Sequence, residues 1–429
     1  MTGHHDVVRV GVLGCGNVGG PLVQLIEAQA SSIAARTGLE LKVTRVAVRN
    51  MARERDVHLA EGVLTRDARS VVEDPEIDVI VEVIGGIEPA RELIMTALER
   101  KKPVVTANKE LLANVGTELF AAADASGVDL LFEAAVAGGI PLIRPLRESL
   151  RGEPIRRVMG IVNGTTNYIL TKMTEEAASY ADALAHAQSL GFAERDPTAD
   201  VEGFDAGAKA AIIATIAFGA RVVAGDVYHE GISSITAADI AMAARLGYVI
   251  KLLAICERID DEIAVRVHPA MVPASHPLAS VRDSYNAVFV EGGAVGSLMF
   301  YGRGAGGLPT ASAVLGDVID AAVNQRKGAH GSMGTFVRLP IRPIDETTAE
   351  YQVSFDVVDR PGVLHAVTGV FARHYVSIRA AEQEGLGDDA RLVFITHEAR
   401  EADVQATMRD LRDLDVVKRV GGLLRVVGA

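Results

Sequence analysis

Residues 7–20, VVRVGVLGCGNVGG, are a short Val-rich run that stops at a glycine-dense turn. Gly14, Gly16 and Gly19 fall in G-x-G-x-x-G spacing, directly after a strand-like segment and just before the helix-like GGPLVQLIEAQASSIAAR. In such a turn the first glycine permits the bend and the second lets the backbone approach a pyrophosphate. The third allows close helix–strand packing. The helix N-terminus then offers N–H groups and its dipole to the phosphates. The stretch predicts a dinucleotide-binding βαβ start, with Gly14, Cys15, Gly16, Asn17, Val18 and Gly19 lining the cofactor; a merely structural tight turn is the alternative. Cys15 reads as a small space-filler rather than a nucleophile. The second strand-like segment, LKVTRVAVRN, ends in Arg49 where an acid would hold a ribose 2′-hydroxyl. An arginine there can pair with a 2′-phosphate, which favours NADP over NAD. A solvated loop arginine is the competing reading.

Outward from the turn, the alternation continues. DVIVEVIG, PVVTAN and DLLFEAAV read as strands, and ARELIMTALERK and ELLANVGTELFAAADASG as helices. Short Val/Ile/Leu runs separated by helical patterns mean a parallel sheet with crossover helices. Residues 141–302 are a mixed region, with a strand in RRVMGIVNG, helices near 176–190 and 205–222, and strands near 263–272 and 286–300. GRGAGGLP, 302–309, is a glycine-dense loop before the helix TASAVLGDVIDAAVNQ, and RKGAHGSMG reads as a linker. The last 80 residues look separate. EYQVSFDVVD alternates at period two, placing Tyr351, Val353, Phe355 and Val357 on one face. PGVLHAVTGVFARHY puts Val363, Leu364, Val367, Val370 and Phe371 on one helical stripe, with Pro361 suited to its first turn. SIRAAEQEG and ARLVFITHE read as strands. A helix with Val404, Met408 and Leu411 in register and the strand VVKRVGGLLRVV complete a βαββαβ order.

The chain's 429 residues imply two or three domains. Its net charge of −13 argues against nucleic acid as a partner. Two cysteines cannot form a disulfide framework and suit a reducing cytoplasm, which is the expected location. No signal peptide is read at the start, and the longest uncharged apolar stretch, 210–220, is too short to span a bilayer.

GFAERDPTADVEGFDAGAKA, 191–210, carries five carboxylates (Glu194, Asp196, Asp200, Glu202 and Asp205) ahead of Lys209. Asp205 and Lys209 are four apart at a helix start. An exposed pair of that kind contributes about half a kcal/mol at most. Lys209, however, is the one charge between Asp205 and Arg221, so this helix is apolar nearly all round and reads as buried. A buried ammonium needs a partner or a task. Beside a nicotinamide, a lysine can stabilise and protonate the oxygen left by hydride addition, with the adjacent carboxylate orienting it. The upstream acids then suit a substrate that bears an ammonium group.

Lys109, in KPVVTANKELLA, lies past the C-terminal end of a strand, where open α/β sheets bind ligands, though a surface lysine is equally compatible. NGTTNY, Asn163–Tyr168, with Gly164 and Thr165, is an ordinary helix N-cap or a polar clamp for a substrate carboxylate. EAAVAGGIP couples one acid, Glu133, to a bend that exposes carbonyls, a hard-cation pattern weak by itself. GRGAGG is not a P-loop, since no lysine and Ser/Thr follow its second glycine.

Taken together, GCGNVGG, TANKELLA, EAAVAGGIP, NGTTNYIL and above all GFAERDPTADVEGFDAGAKA resemble homoserine dehydrogenase over nearly the whole chain. The C-terminal βαββαβ unit resembles a ferredoxin-like ACT domain, its first turn reading DRPGVL. The resemblance implies NAD(P)-dependent interconversion of L-aspartate 4-semialdehyde and L-homoserine, on the path to threonine, isoleucine and methionine. It implies that Lys209 is the proton donor supported by Asp205, that Glu194 and Asp200 hold substrate, and that Lys109 lies where nicotinamide meets substrate. It further implies that Glu133, with the carbonyls of Val136, Gly138 and Ile140, binds a monovalent cation, sodium in most cases. Gly304 and Gly306 return to the cofactor side. The domain layout is then an N-terminal Rossmann-type domain over 1–140, completed by about 303–327, and an α+β substrate-binding and dimerisation domain over 141–302. A linker over 328–348 and a regulatory ACT domain over 349–429 complete it. Threonine is the implied allosteric ligand and a homodimer or homotetramer the implied assembly. No kinase-like segment is read ahead of the glycine loop, so a fused aspartokinase is not expected.

An aspartate-semialdehyde dehydrogenase-like enzyme is the competing chemistry. It needs a reactive thiol. Cys15 lies in the cofactor turn, and VIKLLAICERI predicts Cys256 in mid-helix, so neither is well placed. A non-enzymatic amino-acid sensor is a third reading, against which the acid–lysine cluster argues. For 349–429 a purely oligomerising role competes with threonine sensing.

Overall fold

The computed structural model describes residues 6–385 and 390–428. They form two compact units, each assembled from three separate stretches: Met1–Val158, Gly207–Val227 and Tyr285–Leu339 in the first, and Met159–Ala206, Tyr228–Ser284 and Pro340–Ala429 in the second.

The first unit is built on a six-stranded parallel sheet. From edge to edge its strands are Leu64–Thr65, Leu39–Ala47, Asp6–Leu13, Val79–Glu82, Val104–Thr106 and Leu130–Leu131. The strand order reverses beside Asp6–Leu13, the kind of switch point where such sheets bind ligands at their carboxyl ends. Val10, Val12, Val79, Val81 and Val105 are fully buried, as expected for strands covered on both faces. The late helix Gly307–Arg326 returns to this sheet and buries Val314 and Val318 in the same core as Leu22 and Ile26. Two sequence readings change here. The first crossover is two helices, Gly19–Ala28 and Ala30–Thr37, because Gln29 (φ −102°, ψ 5°) ends one and begins the other. The apolar stretch read as one strand at 286–300 is an antiparallel hairpin, Tyr285–Gly292 with Ser297–Arg303.

In the second unit, Tyr248–Ile259 and Glu262–Pro273 pair antiparallel over twelve residues. Cys256 sits opposite Val265 in that ladder, so the expected mid-helix position is wrong. Ile250–Cys256 are all buried, and a strand buried on both faces loses the alternation that separates it from a buried helix. The C-terminal segment has the expected βαββαβ order: Thr348–Val357, Val363–Arg373, Ile378–Glu384, Arg391–Thr396, Glu401–Arg412 and Val417–Val426. Its sheet runs last–first–third–second, and Tyr351, Val353, Phe355 and Val357 meet Val367, Phe371, Val404, Met408 and Leu411 in one core. Leu364 is not part of the stripe. One step of about 100° from Val363 turns it to solvent, where it is 53% exposed. Pro361 precedes the helix rather than opening it, since Gly362 (φ 92°) is the N-cap. The last strand also pairs parallel with Glu262–Pro273, through Ala270–Arg425 and Met271–Val426, so this segment is built into the second unit.

Candidate active site

The glycine turn is shaped by missing side chains. Gly14 adopts φ +104°, and a Cβ there would come within 2.8 Å of the Val83 carbonyl oxygen. A Cβ on Gly19 would lie 2.1 Å from the Gly14 carbonyl oxygen, so a side chain at Gly19 would push the helix off the turn. Gly16 is different: a Cβ there would meet nothing within 4 Å, and Gly16 and Asn17 are exposed. That opening, at the sheet's switch point, is where a pyrophosphate fits. Helix Gly19–Ala28, with N-cap Val18, has no side-chain cap, and neither has helix Gly307–Arg326, with N-cap Gly306 at φ +116°. A Cβ on Gly307 would reach within 2.4 Å of the Asn17 carbonyl oxygen, so this second helix also begins against the turn. Two helix starts with no side-chain cap therefore adjoin one open glycine loop, an anion site by geometry and by dipole. The residues fit a dinucleotide.

Cys15 is buried inside the turn, and burial pushes its thiol up, partly offset by Arg55. Cys256 is fully buried. Neither is placed as a nucleophile, which removes the thiol chemistry of the competing reading. Arg49 is exposed, two residues beyond strand Leu39–Ala47.

Sequence reasoning missed Glu82. It is fully buried at the carboxyl end of its strand and accepts the N–H groups of Ile84 and Gly85 and the Thr106 hydroxyl, the last at 2.6 Å. Asn108 caps helix Lys109–Ser126 through the Leu111 N–H and donates its amide to the Gly86 carbonyl at 2.6 Å. Together they tie the loops after two adjacent strands. Asn108 was findable as a cap residue before a helical run; Glu82 looked like ordinary strand sequence. Lys109 follows as the first helical residue and is exposed. Lys209 is 9% exposed in helix Phe204–Phe218. Leu112 and Ile212, each three residues beyond one of these lysines, line a single small cavity, so the two lysine-bearing helices are neighbours.

Glu133 is buried, and its carboxylate accepts the N–H groups of Leu142, Ile143 and Arg144. Its own N–H donates to Asp317, which also pairs with Arg144 at 2.8 Å. Burial pushes the Asp317 carboxyl up to about 7 against the pull of the Glu133 N–H and Arg144. The bend Val136–Ile140 has Ala137 and Gly138 at φ 57° and 55°, and Gly138 abuts the Gly304 carbonyl. Val136, Gly138 and Ile140 offer hard carbonyl oxygens, and the carboxylate keeps one lone pair beyond its three N–H donors. Oxygen donors of this kind suit a hard cation. Among the described residues no group of three or more His, Cys, Asp or Glu is placed to hold a metal.

In the second unit Asn163 does two things at once. Its Oδ1 caps helix Gly164–Glu176 by accepting the Thr166 N–H at 2.9 Å. Its Nδ2 donates to Asp200 at 2.7 Å and to Asp205 at 2.8 Å. The helix cap therefore also gathers two acids. Thr165 donates to the Phe192 carbonyl at 2.7 Å and so steadies the loop that carries Glu194. Glu194 is exposed. Asp196 caps Thr198, whose side-chain and backbone hydrogen bonds hold its carboxyl below the usual range. Two carboxylates that converge on one neutral amide repel each other and favour a cation beside them.

Lys251 was also missed. It is 2% exposed and donates to Asn167 at 2.9 Å and to the Val281 carbonyl. Burial lowers its ammonium to about 8, with the Arg282 charge adding to the effect. Its signal, a lone lysine in an apolar run, is the one that marked Lys209.

The chain is similar to known proteins along nearly its whole length. A family model for homoserine dehydrogenase matches residues 141–319, one for the homoserine dehydrogenase NAD-binding domain matches 14–133, and an ACT-domain model matches 351–416. The homoserine dehydrogenase of Mycobacterium tuberculosis H37Rv is 51% identical, over 100% of this chain and 99% of its own. That of Bacillus subtilis 168 is 42% identical, over 98% of each. The crystal structure of a homoserine dehydrogenase from Thiobacillus denitrificans superposes with a TM-score of 0.93 at 42% identity, covering 98% of both chains. A hyperthermophilic archaeal homoserine dehydrogenase in complex with NADPH superposes with a TM-score of 0.63 at 28% identity, covering 74% of this chain and 98% of its own. Among the described residues no helix is long and apolar enough to cross a membrane. Matched by these models and by full-length relatives at up to 51% identity, the chain belongs to the homoserine dehydrogenase family and is an oxidoreductase of that kind.

Proposed function

We propose that the chain interconverts L-aspartate 4-semialdehyde and L-homoserine with NADP, on the route to threonine, isoleucine and methionine. The observation that carries this reading is the Asn163 amide joined to both Asp200 and Asp205, with Lys209 four residues after Asp205 in helix Phe204–Phe218. A nicotinamide bound at the glycine turn would supply hydride to the aldehyde carbon, or in its oxidised form accept it from the alcohol carbon. Lys209 donates its proton to the oxygen on which charge develops, and takes it back in the oxidation direction. Asp205 orients that ammonium. Asp200 and Glu194 hold the substrate's ammonium group, and Asn163, Gly164 and Thr165 shape that end of the pocket. Lys109 stands at the nicotinamide–substrate junction.

The cofactor preference rests on Arg49, whose exposed guanidinium suits a 2′-phosphate, and on the NADPH complex of the archaeal relative. Glu133 and the carbonyls of Val136, Gly138 and Ile140 hold a sodium-like cation. The ACT segment senses threonine, and the enzyme assembles as a homodimer or homotetramer. A steady-state assay with L-homoserine tests these points together. NADP is expected to give the higher kcat/KM, threonine to inhibit, and added sodium to raise the rate. Light scattering should give two or four chains. Turnover that is absent with homoserine under both cofactors would overturn the proposal, and turnover indifferent to threonine would leave the ACT segment an assembly element only.

A further inference from the structure

Arg425, on the last strand, has a side chain only 5% exposed. Its Nε and Nη2 form a two-pronged pair with Glu401, both at 2.8 Å, and the Tyr351 hydroxyl donates to the same carboxylate at 2.8 Å. Those contacts stay inside the ACT segment and would suffice for its folding. The remaining nitrogen leaves it. Nη1 donates to Glu230 at 2.8 Å, and the guanidinium lies 5.7 Å from the centre of the Tyr228 ring.

Glu230 sits in a stretch that is fastened on every side. Its N–H donates to the Val267 carbonyl at 2.8 Å, and the Ile232 N–H donates to the Val201 carbonyl at 2.8 Å. Between them Gly231 is pressed so close that a Cβ would lie 2.3 Å from the Val201 carbonyl oxygen. Two residues before Gly231, the His229 ring packs tilted against the Phe204 ring, with centres 4.2 Å apart. Val201 ends the short helix that carries Asp200, and Phe204 immediately precedes Asp205. The stretch 229–232 therefore touches the chain next to both of the acids that meet at Asn163.

We propose that Arg425 is a positioning residue for the substrate-side carboxylates Asp200 and Asp205, acting through Glu230, through the backbone of Gly231 and Ile232 on Val201, and through His229 on Phe204. This rests on the reading that Asp200 and Asp205 serve the substrate. Removing Arg425 leaves Glu401 and Glu230 without their shared counter-charge, and removing the Glu230 charge leaves Arg425 held by Glu401 alone. The stretch then relaxes toward water, and the two carboxylates no longer converge on one amide. The ACT strand is in this account a supporting wall of the substrate site.

The test uses the full-length enzyme with its cofactor. Glu230→Gln and Arg425→Met should each raise the homoserine KM about fivefold to tenfold and lower kcat by a smaller factor, since Asp205 also orients Lys209, with the cofactor KM nearly unchanged. The double variant should be no worse than either single one, a coupling that independent stabilising contacts would not show. Tyr351→Phe, which removes a hydrogen bond inside the ACT segment, should leave KM unchanged. Glu230 is at the edge of the cluster, so Glu230→Gln carries the test even where Arg425→Met fails to fold. Asp200→Asn supplies the reference. A normal homoserine KM in Glu230→Gln beside a raised one in Asp200→Asn overturns the positioning role and leaves the substrate reading standing. A normal KM in Asp200→Asn brings down the reading of the acids, and this inference with it.

Discussion

The glycine turn at 14–19 and the acid-rich stretch at 194–205 are equally conspicuous as letters, yet they work by different physics. In the turn, geometry is set by what is absent. A Cβ at Gly14 or Gly19 would strike a backbone oxygen, while Gly16 faces open space. A glycine has essentially one thing to offer, so spacing alone announces the device. In the acid stretch the residues are chemically alike and the fold gives them different tasks. Asp196 caps a turn, Asp200 and Asp205 share the Asn163 amide, and Glu194 is exposed. Steric devices are legible in one dimension; electrostatic ones depend on which alike charges end up adjacent.

That contrast can be broken most severely at Lys209. Lys209→Ala should lower homoserine turnover by about a thousandfold or more, the range for loss of a general acid that also stabilises developing charge. Cofactor binding, followed by fluorescence titration, should survive. Turnover retained within a few-fold would remove Lys209 from the chemistry. Gly19→Ala should give the opposite pattern, a loss of about 3 kcal/mol in urea denaturation together with weakened cofactor binding, because backbone meets backbone and neither can yield. Wild-type stability in that variant would show that the turn has slack.

Lys251 gives a subtler test. Burial lowers its ammonium from 10.5 to about 8. Between those values the folded chain binds fewer protons than the unfolded one, so this group makes stability rise as pH climbs from about 8 toward 10.5. Arg282 favours the neutral form, and Glu175 and Asp283 oppose it. Lys251→Met should flatten that rise in denaturation curves taken at the two ends of the window; an unchanged slope would mean the ammonium stays fully charged in the fold. The smallest effect belongs to Arg49→Ala, a rise of about threefold to tenfold in the KM for NADP with none for NAD, as fits one exposed charge-assisted contact. Equal changes for both cofactors would end the case for a 2′-phosphate partner.

Each misreading of the sequence has its own physical cause. VIKLLAICERI is buried on both faces, so it carries neither a helical nor a strand period, and only its twelve-residue ladder with Glu262–Pro273 identifies it as a strand. Leu364 fits a generous helical stripe but sits where no neighbouring helix covers it. The hairpin at 285–303 turns through Gly293 and Gly296, glycines that also fit a loop in any other fold.

Lys209 and Lys251 mark the boundary between what the chain's letters settle and what its folding adds. Each is a single lysine in an apolar run, and the rule that buried ammonium needs a purpose applies to both. Local sequence was enough to establish a dinucleotide turn, a parallel sheet, a βαββαβ tail and a buried lysine four residues after an acid, because each depends on neighbours within one or two elements. Tertiary structure alone decided that Asp200 and Asp205 meet at Asn163, that Lys251 supports Asn167, and that Arg425 reaches Glu230. Those contacts join residues from 37 to 195 positions apart. Charge acts through space, and no one-dimensional pattern records which distant groups a fold will bring within three ångströms.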